Sequence, residues 1–123
     1  MRSLDLWLKI QEFSALLNRA ISEYAVRGRA YAVKEYEYRS ALSKRLLELR
    51  ADGMAVTHLL DIAKGEPGIA KLRMERDIAE SLYKSCQEAI NGYKVQIRIL
   101  EGQLQREWGR TDESYHFGRE SGV

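Results

Sequence analysis

The fold is decided by residues 69–107, which read IAKLRMERDIAESLYKSCQEAINGYKVQIRILEGQLQRE. Two series of residues, each with a spacing of seven, run through this stretch and are apolar or aromatic except at Arg76 and Glu107. The series are Ile69, Arg76, Tyr83, Ile90, Ile97, Leu104 and Leu72, Ala79, Cys86, Tyr93, Leu100, Glu107. Because this repeat places both series along one seam of a helix, it predicts five heptads of coiled-coil character. We expect the helix to run from about Pro67, which suits a first turn, to about Trp108.

The N-terminal segment predicts a second long helix. Its apolar residues recur at intervals of three and four, which is the period of a helix face. They are Leu6, Ile10, Phe13, Leu17, Ala20, Tyr24, Tyr31, Tyr38, Ala41 and Leu42. Ser3 suits an N-cap and Gly53 supplies a stop, so we expect a helix over residues 3–51. Gly28 costs about 1 kcal/mol relative to alanine and marks either a bend or a close backbone approach.

The segment between Gly53 and Gly68 predicts a short connecting helix. We expect Thr57 to cap a helix over residues 57–64 and Gly65 to close it. The connection is too short to hold another domain, so the long helices should return antiparallel. The predicted fold is all-α: a coiled-coil-like antiparallel hairpin of long helices with a short connecting helix, forming one domain over residues 1–109. Residues 110–123 are polar and contain glycines, and we expect a flexible tail there.

The C-terminal helix carries a second apolar stripe away from its seam. This stripe contains Met74, Ile78, Leu82 and Ala89. One antiparallel partner covers only one stripe, so the second stripe needs another surface, either from the connecting helix or from a second copy of the chain. A two-helix hairpin also encloses little core. We therefore expect the protein to form a homo-oligomer and to complete a helical bundle through Met74, Ile78 and Leu82.

Composition indicates a folded protein without a membrane span. Hydrophobic residues make up 45% and charged residues 31% of the chain, and the formal net charge is +2. That net charge, with a pI of about 8.7, is too mild to indicate nucleic acid alone. The single cysteine, Cys86, excludes an internal disulfide and fits a small core residue in a reducing compartment. No apolar run is long enough for a membrane helix, and no signal peptide is evident, so we expect a cytoplasmic protein.

Few residues suggest catalysis or metal binding. His58 and His116 lie in different segments, and no histidine or cysteine spacing resembles a zinc site. No histidine follows three residues after the glutamates of the C-terminal helix that could build a di-metal site, Glu75, Glu80 and Glu88. Residues 65–68 lack the lysine of a phosphate-binding loop and predict a turn. We expect a protein that is not an enzyme and needs no cofactor or metal.

Basic and tyrosine side chains alternate between residues 24 and 45. Such a mixture can hold single-stranded nucleic acid by phosphate pairing and base stacking. The candidate residues are Arg27, Arg29, Lys34, Arg39, Lys44, Arg45, Tyr31 and Tyr36. The alternative is that Tyr24, Tyr31 and Tyr38, spaced by seven, continue the seam of the N-terminal helix. Both interpretations hold if the tyrosines pack inward while the arginines face outward.

Arg76 interrupts an otherwise apolar seam. A charge on a packed seam is costly unless it has a partner. We expect it to pair across the hairpin with Glu35, Glu37 or Glu48.

Several short runs resemble small helical proteins of phages and prophages of Gram-positive bacteria. The runs are YKSCQEAIN at residues 83–91 continuing through Lys94 to Arg106-Glu107-Trp108, LRADG at residues 49–53, and AKG at residues 63–65. The resemblance covers most of residues 4–108, and its motifs are structural. In architecture these proteins are similar to T4-type recombination mediators, which are oligomeric and bind single-stranded DNA.

The resemblance implies a non-enzymatic phage accessory protein that binds single-stranded DNA as an oligomer during replication or recombination. The alternative is a protein-only adaptor or inhibitor that binds a phage or host protein complex, for example an anti-defence protein. A phage protein would act in the host cytoplasm. If the protein is a monomer, an exposed stripe at Met74, Ile78 and Leu82 would favour the protein-binding alternative.

Overall fold

The computed structural model describes the backbone of residues 2–121 and the side chains of residues 2–110. The chain forms three helices: α1 (Ser3–Ala51), α2 (Val56–Gly65) and α3 (Pro67–Ser121). No strand occurs within the described backbone. The predicted all-α fold class is confirmed.

The three helices contribute to two compact units. One unit joins α1 up to Ser22 with α3 from Glu88 onward. The other contains the chain from Glu23 to Gln87, which includes all of α2. Each unit has its own buried cluster of side chains.

The core of the first unit is built from leucine and isoleucine side chains of α1 and α3. Leu6 and Ile10 pack against Leu100 and Leu104, and Phe13 and Ile97 border this cluster. Further along, the rings of Phe13 and Tyr93 have centroids 6.2 Å apart. As the residue number increases along α1, the number of the residue that it contacts on α3 decreases. The two segments are therefore antiparallel within this unit.

The core of the second unit contains the end of α1 and the apolar face of α2. Leu49, Leu59 and Ala63 are buried together, with Leu42, Leu46 and Met54 packed against them. Between α1 and α3 of this unit, Tyr24 stacks on Tyr83, and an ion pair joins Lys34 to Glu75. These contacts are again antiparallel. The helix α2 is therefore a third packing element of this unit as well as a connection.

The predicted seams match the observed burial. All twelve heptad positions between Ile69 and Glu107 are buried or half-buried, as are all the apolar residues predicted for the face of α1. Among these, Tyr38 is buried although it is a tyrosine. Trp108, which follows the last seam position, is exposed. The period of the sequence thus predicted which face of each long helix packs.

Gly53 ends α1 as predicted. Its φ of 90° is left-handed, and its N–H donates to the carbonyl of Arg50 at 3.0 Å. The N–H of Met54 donates to the carbonyl of Leu49 at 3.1 Å, and Met54 packs on the cluster around Leu49. These two hydrogen bonds and one apolar contact form a Schellman motif, which satisfies carbonyls that the helix leaves without partners.

Two predicted boundaries require correction. The helix α3 does not end at Trp108 but continues through Gly109 to Ser121, so the predicted flexible tail over residues 110–123 is helical as far as its backbone is described. A glycine without a left-handed φ weakens a helix without ending it. Residues 122 and 123, and the side chains from residue 111 on, lie outside the described residues. Thr57 does not cap α2, because α2 begins at Val56 after Ala55, which makes no side-chain cap bond.

Gly28 lies where a tyrosine approaches the backbone of α1. A Cβ atom at this position would lie 3.0 Å from Cε1 of Tyr83. The sequence left open whether Gly28 marks a bend or a close backbone approach, and the structure shows a close approach.

Candidate functional site

The residues predicted to bind nucleic acid are divided between two faces of α1. Successive residues of a helix are turned by about 100°, so residues seven apart share a face. Arg27, Tyr31, Lys34 and Arg45 lie near the packed face, which is centred on Tyr38. The remaining predicted residues, Arg29, Tyr36, Arg39 and Lys44, lie on the flank or on the opposite side. The structure therefore does not bring the eight together in one patch.

Four of the six predicted cations form ion pairs within the chain. Arg27 pairs with Glu23 at 3.0 Å, and Arg39 pairs with Glu35. Both are contacts of residues four apart on one helix, which compensate charge and contribute little stability. These guanidinium groups keep part of their exposure, yet each already has a carboxylate beside it.

Lys34 joins α1 to α3. Its ammonium lies 3.3 Å from a carboxylate oxygen of Glu37 and 3.6 Å from one of Glu75. The hydrogen bond to Glu37, followed by the charges of Glu37 and Glu75, raises the pKa of Lys34 above its ordinary value. A phosphate would have to compete with two carboxylates for this ammonium.

Arg45 forms a bidentate ion pair that uses both carboxylate oxygens of Glu66. Its Nε and Nη2 atoms donate to the two carboxylate oxygens of Glu66 at 2.7 and 2.8 Å, and Nη1 donates to Glu48 at 3.1 Å. The hydrogen bonds from Arg45 lower the pKa of Glu66, although partial desolvation opposes this effect. Since Glu66 lies between α2 and α3, the pair holds α1 against this junction.

The outward face of α1 retains Arg29, Tyr36 and Lys44. Arg29 and Lys44 are exposed and have no ion pair among the described residues, and the side chain of Tyr36 is 73% exposed. Of the eight predicted residues, these three are exposed and have no ion pair or ring contact among the described residues.

The seam tyrosines pack inward, as the structural alternative predicts. The hydroxyl of Tyr83 donates to that of Tyr24 at 2.7 Å, and their rings stack with centroids 4.6 Å apart. Tyr31 lies 6.0 Å from the Tyr83 ring, and its interaction with the carboxylate of Glu80 raises the pKa of Tyr31. Tyr31 is therefore occupied by intramolecular contacts and does not present a free ring face like that of Tyr36.

Arg76 pairs with Glu35, one of its three predicted partners. Its Nε atom lies 3.5 Å from Glu35, and its Nη2 atom lies 2.9 Å from Asp77. The guanidinium also covers the ring of buried Tyr38 at 4.6 Å from the centroid. The hydrogen bond to Asp77, the largest effect, and the charge of Glu35 raise the pKa of Arg76. The seam thus holds a charged residue because carboxylates and an aromatic face surround it.

The second stripe of α3 is open to solvent. Met74, Ile78 and Leu82 are 53%, 52% and 40% exposed. With Ala70 and Ser81 they line an open groove of about 530 Å³, called here the apolar groove. The charged residues of its lining are Lys64, Arg73 and Asp77.

The outward face of α1 carries an apolar stripe that the sequence reasoning missed. Val26, Val33 and Leu47 are all exposed. Their numbers fall on one heptad series, with Ser40 at the remaining position. The sequence contained this signal, but the stronger series of Tyr24, Tyr31 and Tyr38 on the packed face masked it.

The sequence reasoning also missed a cleft in the unit between Glu23 and Gln87. Its volume is about 380 Å³, and it contains four cations from three helices. The residues that line it are Tyr38, Arg39, Leu42, Ser43, Leu46, Leu60, Lys64, Arg73 and Arg76. We call it the cationic cleft. No local motif reveals it, because it exists only when the three helices are packed.

The described side chains show few features of a catalytic or metal site. Within residues 2–110, no three histidine, cysteine or acidic side chains are grouped as metal ligands. Cys86 is a half-buried free thiol on the seam, and no polar or charged residue in this range is fully buried. No described helix contains a stretch apolar and long enough to cross a membrane.

Comparisons with known proteins add no relative. No protein-family model, curated protein or solved structure matches the chain. The resemblance to phage and prophage proteins and to recombination mediators therefore stays a prediction from the residues quoted for it.

Proposed function

We propose that the protein is a non-enzymatic binding protein that works as a homo-oligomer, in which two copies pack through the apolar groove. The observation that carries this proposal is the exposure of Met74, Ile78 and Leu82 on one face of α3. Exposed apolar stripes of this kind usually mark sites where another macromolecule binds.

The surface area of the chain supports a second copy as the occupant. The accessible surface is 9240 Å² for a mass of 14.2 kDa. A compact monomer of that mass exposes about 6,800 Å², so the chain has about 2,400 Å² in excess. Homodimer interfaces commonly bury about 2,000–5,000 Å² in total. Two copies therefore have enough surplus surface for a stable interface.

The charges at the groove also suit a symmetric pair. Arg73 and Asp77 lie one turn apart at the groove and carry opposite charges. In a two-fold interface the same patch meets itself, and a lining that carries both signs of charge is compatible with a second copy. A lining of one sign only would instead have favoured a partner of the opposite charge.

Light scattering over a dilution series tests the proposal. The wild-type chain should have the mass of a dimer or larger oligomer, and Met74→Ser/Ile78→Ser/Leu82→Ser should have the monomer mass. The matched control is Val26→Ser/Val33→Ser/Leu47→Ser, which removes as many exposed apolar side chains from α1 and should leave the oligomer intact. A folded wild-type monomer at every concentration would contradict self-association and leave the groove to a different protein, as the adaptor alternative predicts.

Binding of single-stranded DNA is the second candidate function. It is favoured by the exposure of Arg29, Tyr36 and Lys44 on one side of α1, where two cations lack carboxylate partners among the described residues. Fluorescence anisotropy with a labelled oligonucleotide should then show binding that weakens with salt. Arg29→Gln/Lys44→Gln should reduce the slope of log K against log salt by about 1.4, because each neutralised phosphate of a single strand contributes about 0.7. No binding even at low salt would contradict this candidate, and the phage setting stays a prediction from the resemblance.

A further inference from the structure

The cationic cleft collects positive charge from all three helices. Arg39 comes from α1, Lys64 from α2, and Arg73 and Arg76 from α3. No carboxylate lines the cleft. All of these residues belong to the compact unit between Glu23 and Gln87. A convergence of like charges in one cleft is unfavourable unless counter-charges or a ligand compensate it.

Only part of this charge is compensated within the chain. Arg39 and Arg76 both approach Glu35, and Arg76 also pairs with Asp77. Lys64 and Arg73 form no ion pair or side-chain hydrogen bond among the residues that the structure describes. The cleft therefore keeps two positive charges without partners.

The remaining lining residues specify what kind of anion fits. Ser43 supplies a hydroxyl that can donate a hydrogen bond, and guanidinium groups match the spacing of phosphate oxygens. Leu42, Leu46 and Leu60 form an apolar part of the lining. A simple carboxylate would compensate one of the two free charges, whereas a diphosphate group compensates both and can be held by several donors.

We propose that the cationic cleft binds a phosphate-bearing small molecule of about the size of a nucleoside diphosphate. Its phosphate oxygens contact Lys64 and Arg73, and its organic part packs on Leu42, Leu46 and Leu60. The cleft volume of about 380 Å³ falls in the range of small-molecule sites. Lys64 and Arg73 also line the apolar groove, but the site requires none of the apolar side chains Met74, Ile78 and Leu82. It requires neither the exposed face of α1 nor a catalytic step.

Calorimetric titration at low ionic strength tests the proposal with four probes: pyrophosphate, adenosine diphosphate, inorganic phosphate and citrate. Pyrophosphate and adenosine diphosphate should bind saturably with one site per chain, and more tightly than inorganic phosphate or citrate. Lys64→Gln/Arg73→Gln should weaken their binding by about tenfold or more, since each charged hydrogen bond is worth about a factor of ten. The matched control, Lys71→Gln/Lys94→Gln, removes two exposed cations outside the cleft and should preserve affinity within about twofold.

Several results would overturn the proposal. They are equal losses in the two double variants, no saturable binding of any probe, and binding of citrate as tight as that of pyrophosphate. Binding of an oligonucleotide without binding of adenosine diphosphate would also overturn it and favour nucleic acid. Circular dichroism of each variant verifies folding. Repeating the titration with Met74→Ser/Ile78→Ser/Leu82→Ser separates the site from self-association, because the proposal expects phosphate binding to persist in this variant.

Discussion

Gly28→Ala tests whether the tyrosine packing between α1 and α3 is as tight as the structure shows. The added Cβ would lie 3.0 Å from Cε1 of Tyr83 and 3.5 Å from its Cδ1. The Tyr83 ring has little freedom to retreat. It stacks on Tyr24, lies near Tyr31, and donates a hydrogen bond to the Tyr24 hydroxyl. Alanine at position 28 must therefore disturb this cluster.

Two opposing effects set the size of the change. Replacing glycine by alanine within a helix stabilises by about 1 kcal/mol. Overpacking a well-packed contact costs about 1–3 kcal/mol. Gly28→Ala should therefore lower the free energy of unfolding by about 0–2 kcal/mol. Gly92→Ala is the matched control, since a Cβ there meets no atom within 4 Å, and it should raise stability by about 1 kcal/mol.

Urea unfolding followed by circular dichroism, at one fixed protein concentration, measures both variants. The predicted difference between them is about 1–3 kcal/mol in favour of Gly92→Ala. In a Tyr83→Leu background the penalty at position 28 should largely disappear, which a double-mutant cycle detects. If Gly28→Ala is as stabilising as Gly92→Ala, the close approach of Tyr83 is refuted.

Three further predictions concern the core, a turn and an ion pair. Leu6→Ala should lower the free energy of unfolding in urea by about 2–5 kcal/mol. Leu8→Ala, at an exposed position, should change it by no more than about 0.5 kcal/mol, and similar losses in the two variants would contradict the core assignment. Gly53→Ala should cost about 1–2 kcal/mol, because alanine resists a left-handed φ; an unchanged urea midpoint would argue against the Schellman turn. Because Arg45 lowers the pKa of Glu66 below its ordinary 4.5, the ionised pair stabilises above that pH, and this stabilisation is lost as pH falls through the lowered value. Glu66→Gln should therefore destabilise at pH 7 and much less at pH 3; an equal deficit at both would exclude this linkage.

Much of the fold follows from sequence period. The heptads from Ile69 to Leu104 predicted the buried seam because a seven-residue repeat is a property of one helix alone. Gly53 was predictable for the same reason, since a left-handed residue is a local requirement. Gly109 was misleading because glycine only weakens a helix unless its φ becomes positive. Thr57 was misleading because a cap must precede the helix, and α2 begins one residue earlier.

The candidate sites were less predictable because they depend on packing. Ion pairs such as that of Arg27 with Glu23 could have been predicted from their spacing of four residues. Including them would have left fewer unpaired cations in the predicted nucleic-acid-binding patch. The partner of Arg76 was narrowed to three glutamates, and the choice of Glu35 required the register of two helices. The cationic cleft required three helices together, so no single segment of sequence contains its signal.

The central claim, that copies of the chain pack through the apolar groove, is tested most directly by isotope-filtered nuclear magnetic resonance. Chains with ¹³C-labelled methyl groups are mixed with unlabelled chains, and nuclear Overhauser effects between copies are recorded. The proposal predicts that these effects arise from the methyl groups of Ile78, Leu82 and Met74. Effects confined to Val26, Val33 and Leu47, or no effect between copies at all, would contradict it.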